Sequence, residues 1–490
     1  MQIPYLSFLA FLPLAAAIVI LFLPAGKRNL IRGIALATSI VTLILSVIVF
    51  FSYDTQNAGY QFQIQLDWLP ALGISFHMGV DGIGAAMELM AGLVVLSGVM
   101  VSWRIEDRPR EFFAFLLFLA SSVFGVFASL DLFQLFVFFE LAVFPKYLMI
   151  VMWGYPKTKE YGGMKLTLYL FFGSMVALIG VLAMYFGSGL HTFDLVALEN
   201  AGFSVEFQRL WFPFVFIGFG VLGGIFPFHS WAPDGHVAAP TAVSMLLAGV
   251  EMKVGVFAAL RAGLMLMPQG MRIWAPLIIV LATINVVYGA FIAMIQKDFK
   301  YVIGFSSVSH MGLVFIGFAT LTPQGLTGAG LQMFSHGIMT ALFFAIVGMV
   351  YDRAHTRNIS ELGGLYQFMP IAMIGFIVGG LVSMGMPGFS GFIAELPIYM
   401  GAWKTYPLVA ILSAISIVVT AAYILLVVRK VFFGETPEPI KAGLTDITLM
   451  DKSVVIMLSL IMILIGLFPS ILVPVIEAGV KHILVLVGGA

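Results

Sequence analysis

Residues 408–428 read LVAILSAISIVVTAAYILLVV, an apolar run that contains no charged side chain. As an α-helix at 1.5 Å per residue this run is about 30 Å long, which matches the hydrocarbon core of a bilayer. Similar runs recur along the whole chain, and 61% of its 490 residues are hydrophobic whereas only 10% are charged. The sequence therefore predicts an integral membrane protein with many spans.

Apolar runs bounded by charges, Gly or Pro predict about fourteen transmembrane helices. The runs exceed the length of barrel strands and lack sustained alternation, so an all-α polytopic membrane protein is predicted. The first run has no basic leader and no small-residue cleavage site, and we interpret it as a retained helix. The predicted spans are 3–24, 30–51, 79–102, 111–130, 132–153, 166–187, 211–233, 237–262, 273–295, 301–320, 326–350, 369–400, 405–430 and 453–474.

Basic residues are distributed unequally between the two sets of loops. Most of them follow odd-numbered spans, as Lys27, Arg28 and Arg32 do, whereas the other loops and the tail carry only Arg209, Arg261, Arg272, Lys404 and Lys481. By the positive-inside rule, the odd loops face the cytoplasm or its equivalent and both termini lie on the outer side. A bacterial plasma membrane is the expected location.

Composition excludes several functions. The chain contains no cysteine, so it has neither disulfides nor thiolate-bound iron–sulfur clusters, and no metal site is expected from its scattered histidines. Lys plus Arg equals Asp plus Glu at 24 each, which gives no reason to expect nucleic acid as a partner. The glycines at 218, 220 and 223 spell GxGxxG inside an apolar span without a preceding strand, so we read them as helix-packing residues.

Ionisable side chains inside predicted spans are the main functional signal, because a charge in hydrocarbon costs several kcal/mol unless it is paired or hydrated. Groups that gain and lose protons on successive helices are what a proton relay requires. A structural polar contact between helices is the alternative for each one alone, and Glu251 and Asp131 are marginal cases. The residues are Glu88, Glu140, Lys146, Lys253, His310, His336 and Glu395.

Two spans are predicted to be broken. Span seven contains Gly223–Gly224 before Pro227, and span twelve contains GMPGFSG at 385–391. Interrupted helices can turn free backbone groups toward a polar cavity, and paired interruptions mark internal repeats in transporters. Their separation by five spans predicts a five-helix unit in 111–262 that is repeated in 263–432, with 1–110 before and 433–490 after.

Four segments together resemble one family. They are FPFHSWAPDGHVAAPTAVSMLLAGVEMKVG at 226–255, SSVSHMG at 306–312, FSHGIMTALFFAIVGMVYDRAHTRNISELGGL at 334–365 and GMPGFSGFIAE at 385–395. In order and spacing they are similar to the proton-translocating antiporter-like subunits of respiratory complex I, the NADH:quinone oxidoreductase. The segment HTRNISELGGL and the fourteen spans favour the M-type subunit, which corresponds to chain 4.

The resemblance implies a fold of fourteen helices with two inverted five-helix repeats. It implies proton translocation coupled to quinone reduction in other subunits, with neighbouring antiporter-like subunits and the lipid bilayer as partners. FMN, iron–sulfur clusters and quinone would be bound elsewhere in the complex, with no cofactor in this chain. Carried over by motif, the residues that move protons are Glu140, Lys253, His310, His336 and Glu395.

One position departs from the family pattern. The resemblance leads us to expect a lysine seven residues before His229, where this chain has Leu222. Our hypothesis is that Lys146, six residues after Glu140 and directly after Pro145, supplies that positive charge from span five. Six residues rotate Lys146 by about 120° from Glu140 on a helix, so direct contact between them is not required by the sequence.

Two other functions share these motifs. A subunit of a multi-subunit cation/proton antiporter, or of a membrane-bound hydrogenase, would carry similar relay residues without NADH:quinone activity. A sodium site would predict extra carboxylates near the relay, and Glu88 is the only candidate. The sequence therefore favours the complex I interpretation and leaves the antiporter as the alternative.

Overall fold

The computed structural model describes residues 4–488, so the predicted start of span one at residue 3 and the last two residues of the tail lie outside it. Within that part of the chain, thirteen helices are long and apolar enough to cross a membrane. Numbered as spans one to eleven, thirteen and fourteen, they are Tyr5–Phe22, Arg28–Ser52, Gly82–Arg104, Pro109–Ala128, Leu132–Trp153, Lys159–Gly187, Val205–Gly223, Thr241–Met265, Pro268–Ile295, Phe299–Thr320, Pro323–Ala354, Pro407–Phe432 and Leu449–Leu467.

Span twelve consists of two shorter helices, Pro370–Ser383 and Ser390–Thr405. The predicted count of fourteen spans and the predicted breaks in spans seven and twelve are therefore confirmed. After its break, span seven continues as the short helix Trp231–Ala238. The remaining short α-helices of the described residues are Leu195–Glu199, Glu438–Lys441 and the tail helix Val473–Val487.

A β-hairpin between spans two and three was not predicted. Its strands are β1, Gln61–Leu69, and β2, Ile74–Val80, and they pair antiparallel. The signal was present in the sequence, because QFQIQL at 61–66 alternates polar and apolar residues, as a strand with one covered face does. It lies outside the spans, so the membrane-spanning architecture is helical as predicted.

Loop contacts confirm that successive spans alternate in direction. The hairpin touches the segments after spans four and six, through Leu130 N–H to His77 O at 2.9 Å and Phe193 N–H to Gly73 O at 3.0 Å. On the other side, the loops after spans nine and eleven meet where Phe299 N–H donates to Arg357 O at 2.8 Å. Loops after even and odd spans therefore gather at opposite ends of the bundle.

The break in span seven is closed by a side chain from span nine. Asn285 Oδ1 accepts from Phe226 N–H at 2.6 Å, and its Nδ2 donates to Gly224 O at 2.7 Å. Gly224 has a φ of +77°, a backbone conformation that disfavours residues with a side chain. One buried amide thus satisfies a donor and an acceptor that the broken helix leaves without helical partners.

A buried ion pair fastens span eight to span three at the hairpin end. Both oxygens of Asp81 accept from the Arg261 guanidinium, at 2.7 and 2.8 Å, and Asp81 also caps span three by accepting from Gly84 N–H. From the sequence, Arg261 is expected in the loop after span eight. That assignment was wrong, because Arg261 lies in the last turns of the helix and is 1% exposed.

A second polar contact at the same end holds the hairpin to the loop before span seven. His77 Nδ1 lies 2.6 Å from Asp194 Oδ2, and Asp194 also accepts from Ala197 N–H at 2.8 Å. Burial favours the neutral carboxyl, but these hydrogen bonds outweigh it and hold the pKa of Asp194 below its ordinary value. Asp194 is therefore ionised at neutral pH.

We expect Arg261→Met to destabilise the protein by about 3 to 5 kcal/mol, because it leaves the buried carboxylate of Asp81 without its cation. The measurement is the temperature at which the detergent-extracted protein loses solubility. Lys404→Met, which removes a cation from an exposed position, is the control and should leave this temperature unchanged. If both variants lose solubility at the same temperature, the Arg261–Asp81 ion pair does not stabilise the protein.

Candidate functional site

The helix of span five is interrupted in its middle. Its halves are Leu132–Leu141 and Val143–Trp153, because Pro145 lacks the N–H that would bond to the carbonyl of Leu141. Glu140 lies at the end of the first half, and its Oε1 is buried with no hydrogen-bond partner among the described residues. A buried carboxylate oxygen without a partner can accept a hydrogen bond from a proton donor or from a water molecule that enters the site.

Lys146, in the second half of span five, is completely buried. Its ammonium group forms a salt bridge with Glu251 of span eight, and both side chains are almost inaccessible to solvent. Lys146 therefore brings a positive charge to span five, but the carboxylate that it binds directly is Glu251, a marginal candidate from the sequence, and not Glu140.

Span eight is not a regular α-helix. It contains π-helical turns at Leu247–Glu251 and Ala259–Met265, and Met252 N–H bonds to Leu247 O, five residues earlier. Such widened turns alter side-chain direction and backbone pairing, and they are frequent at functional sites. Lys253 follows the first of them, and its ammonium group donates to the carbonyl of Ala248.

Lys253 also contacts span eleven. Its Nζ lies 2.8 Å from His336 Nδ1, and both residues are buried. A lysine ammonium can only donate, so Nδ1 of His336 accepts and the imidazole proton is on Nε2. That second nitrogen is buried and has no hydrogen-bond partner in the described chain.

His310 of span ten stacks on His336, with ring centroids 5.4 Å apart and planes inclined by 18°. Its Nδ1 lies 2.8 Å from Ser306 O, and its Nε2 lies 3.1 Å from Ser383 O. Carbonyl oxygens only accept, so both ring nitrogens of His310 face acceptors, which is the hydrogen-bonding pattern of an imidazolium. Two adjacent histidines thus occupy environments suited to different protonation states.

Glu395 lies in the broken span twelve. With Lys253, His336 and His310 it forms a row of buried ionisable residues. Its Oε1 lies 3.6 Å from His310 Nε2 and 3.4 Å from Gln332 Nε2, and the residue is 3% exposed. Gly385 in the break has a φ of +61°, and a Cβ at this position would lie 2.9 Å from Glu395 Oε2. The break therefore makes room for the carboxylate as well as ending the helix.

Leu222, at the position where a lysine was expected, is apolar and 2% exposed. It packs against span eight, where a Cβ on Gly255 would lie 2.8 Å from the Leu222 Cβ. The break in span seven therefore brings an aliphatic side chain, and no charge, to the segment that follows Lys253.

A cavity of about 490 Å³ opens at the odd-loop end. Arg104, Lys300 and Asp352 are among its lining residues. Lys300 is buried and donates to Ala239 O at 2.6 Å. His236 is also buried, and neither of its ring nitrogens has a partner within the described residues. Sequence reasoning missed both residues, although a histidine in PDGH beside a broken span was a signal that could have identified one.

Glu88 of span three stands apart from this row. Both of its carboxyl oxygens are buried without a hydrogen-bond partner in residues 4–488. No group of three or more His, Asp or Glu residues in the described chain is arranged to hold a metal ion. Of the predicted residues, the structure brings together Lys253, His336, His310 and Glu395, and it places Lys146 with Glu251.

Comparison with known proteins agrees with this arrangement. Residues 129–424 match the family model described as NADH:quinone oxidoreductase/Mrp antiporter, TM. An NAD(P)H-quinone oxidoreductase chain 4-2 from Synechocystis sp. is 35% identical over 446 residues, which are 89% of this chain and 79% of that protein.

Two solved structures share the fold. A chain of respiratory complex I from Thermus thermophilus superposes with a TM-score of 0.88 at 29% identity, covering 98% of this chain and all of that one. A chain of the Mrp complex from Dietzia sp. also has a TM-score of 0.88, but at 19% identity it shows the fold alone. The resemblance inferred from the sequence is therefore confirmed, and the chain belongs to the NADH:quinone oxidoreductase/Mrp antiporter family of transmembrane subunits.

Proposed function

We propose that this chain is a chain-4-type subunit in the membrane arm of an NAD(P)H:quinone oxidoreductase and that it translocates protons. The observation that carries the proposal is the row of buried ionisable groups that runs from Lys253 through His336 and His310 to Glu395. Chain-4 relatives and the Thermus complex support membership in such a complex.

The donor and acceptor pattern supports a direction of transfer. Lys253 gives a proton to Nδ1 of His336, which releases the proton on Nε2 toward His310. The stacked rings are not hydrogen-bonded to each other, so a bridging water or a small ring rotation carries this proton. Because both nitrogens of His310 face acceptors, His310 first gives the Nε2 proton to the Glu395 carboxylate, 3.6 Å away, and only then has a free nitrogen for the proton from His336. Each step moves one proton, and the His336 ring must turn before it can accept the next one, because the first proton stays on Nδ1.

The cavity at the odd-loop end supports uptake from that side. Lys300 and Asp352 line it together with Ala239, which follows the buried His236 by three residues. In this proposal the end with the basic loops faces the cytoplasm of a bacterial plasma membrane and both termini lie outside, which is the orientation that the positive-inside rule favours. In this proposal, redox groups and quinone belong to other subunits, as a chain without cysteine requires for any thiolate-bound cluster.

We expect the tagged assembly, extracted gently from its membrane, to reduce quinone with NADH or NADPH and to contain flavin and iron–sulfur subunits. Quinone reduction in a vesicle should acidify the side opposite the basic loops. A redox-silent assembly of membrane subunits that exchanges Na⁺ for protons would instead establish the antiporter alternative. Subunit masses distinguish the two independently of activity.

Lys253→Met should lower coupled quinone reduction and proton pumping by about 10- to 100-fold, because it removes the group that donates to His336. The measurement is turnover in sealed vesicles, with assembly checked by subunit composition. Lys404→Met, at an exposed position, is the control. Wild-type pumping by an assembled Lys253→Met complex would remove Lys253 from the pathway.

Gly385→Ala tests whether the break in span twelve positions Glu395. The new methyl group meets Glu395 Oε2 at 2.9 Å, so we expect pumping to fall several-fold. Gly388→Ala is a matched control, because Gly388 lies in the same break with a φ of +92° but its Cβ would meet only Leu467 at 3.9 Å. Each substitution should cost about 1 to 2 kcal/mol of backbone strain, so only a difference in pumping reports on Glu395.

A further inference from the structure

The salt bridge between Lys146 and Glu251 joins span five to span eight inside the first predicted five-helix unit. Lys146 belongs to span five, in the first predicted repeat, and Glu251 ends the π-helical turn that precedes Lys253. The side chains are 0% and 1% exposed. Neither charge is used in the proton steps described above.

The pair is only partly satisfied. Glu251 Oε2 binds the Lys146 ammonium, but its Oε1 is buried without a hydrogen-bond partner in the described residues. A salt bridge that serves only stability repays its desolvation cost when its remaining lone pairs are bonded. The open oxygen instead leaves Glu251 able to accept a further proton or water.

Glu251 and Lys253 point to opposite sides of span eight. Two residues rotate a side chain by about 200° around an α-helix, and the contacts agree with this geometry. Glu251 contacts span five, whereas Lys253 contacts His336 of span eleven. Span eight therefore carries an anion toward one half of the protein and a cation toward the other, two residues apart.

No charge approaches this part of span eight from the break in span seven, where Leu222 packs against Gly255. The positive charge that acts on this region comes from span five. When Glu251 is bound to Lys146, the opposite charges of the pair nearly cancel, so the pair has little electrostatic effect on Lys253. When the two separate, the carboxylate is free to stabilise a positive charge on Lys253 through the helix.

We propose that Glu251 is a positioning residue for the proton relay and that its salt bridge with Lys146 transmits the charge state of span five to Lys253. Glu140, which precedes Lys146 by six residues on the same span, is the group whose protonation disturbs the pair. This inference rests on the proposed function. It adds Glu251 to the residues that control the relay, and it identifies Glu251 as the partner of Lys146.

The test compares three variants in the assembled complex. Glu251→Gln keeps the shape but removes the charge, Lys146→Met/Glu251→Leu replaces both charges with apolar groups, and Lys146→Glu/Glu251→Lys exchanges them. We expect the apolar double variant to assemble, because well-packed apolar residues can replace a buried ion pair, yet all three should lose at least about tenfold in coupled proton pumping. We expect the exchanged pair to lose pumping because it places a cation two residues from Lys253 on the same helix, where the wild-type protein has an anion.

Asp451→Asn is the matched control, because Asp451 forms another largely buried ion pair, with Arg353 at 3.2 Å, and neither residue takes part in the proposed proton steps. Glu251→Asp, which keeps the charge, should retain more pumping than Glu251→Gln. Wild-type pumping in the apolar or the exchanged double variant would overturn the proposal. Failure of every Glu251 variant to assemble would assign the pair to helix packing and would also overturn it.

The wild-type complex is measured in parallel, so the two proposals are separable. If the wild-type complex shows no quinone-linked pumping, the proposed function fails. If it pumps and the Glu251 variants pump equally well, only the role of Glu251 fails.

Discussion

The buried ammonium group of Lys253 is the constraint around which the rest of the site is organised. An unpaired cation in a low-dielectric interior is costly, and in the described chain its hydrogen bonds go to a backbone carbonyl and a histidine rather than to a carboxylate. The widened turn before it shifts the helical pairing, and the Ala248 carbonyl lies within reach of the side chain. A lysine held by neutral acceptors can release its proton without breaking a salt bridge.

The breaks in three spans follow from the same need for polar groups in an apolar bundle. Pro145 interrupts span five between Glu140 and Lys146, and the glycines of span twelve make space for Glu395. The break in span seven differs, because Asn285 bonds two of its freed backbone groups and Leu222 is apolar. Span seven therefore contributes shape to the centre of the protein, whereas spans five and twelve contribute charge.

The sequence predicted the spans, the two main breaks and the principal buried ionisable residues, because each leaves a local signal. An apolar run, a proline or a charge within a span can be recognised without knowing its neighbours. The partners could not be predicted in this way. Glu251 seemed marginal because its proximity to Lys146 depends on how spans five and eight pack, and Arg261 was assigned to a loop because a helix end is uncertain by about a turn. The hairpin at 61–80 had a local signal that the strong helical pattern concealed.

The arrangement of charges on span eight explains how one helix can serve both halves of the bundle. An α-helix with a single buried lysine presents a charge only to the neighbouring helices that the lysine faces. The π-helical turn and the two-residue spacing give span eight opposite charges on opposite faces, with Lys146 bound on one side and His336 on the other. Movement of a proton near span five alters the electrostatic field at Lys253 without any large displacement of helices, because the field acts across the width of one helix. In a densely packed membrane bundle, a change of charge is the signal that crosses with the least rearrangement.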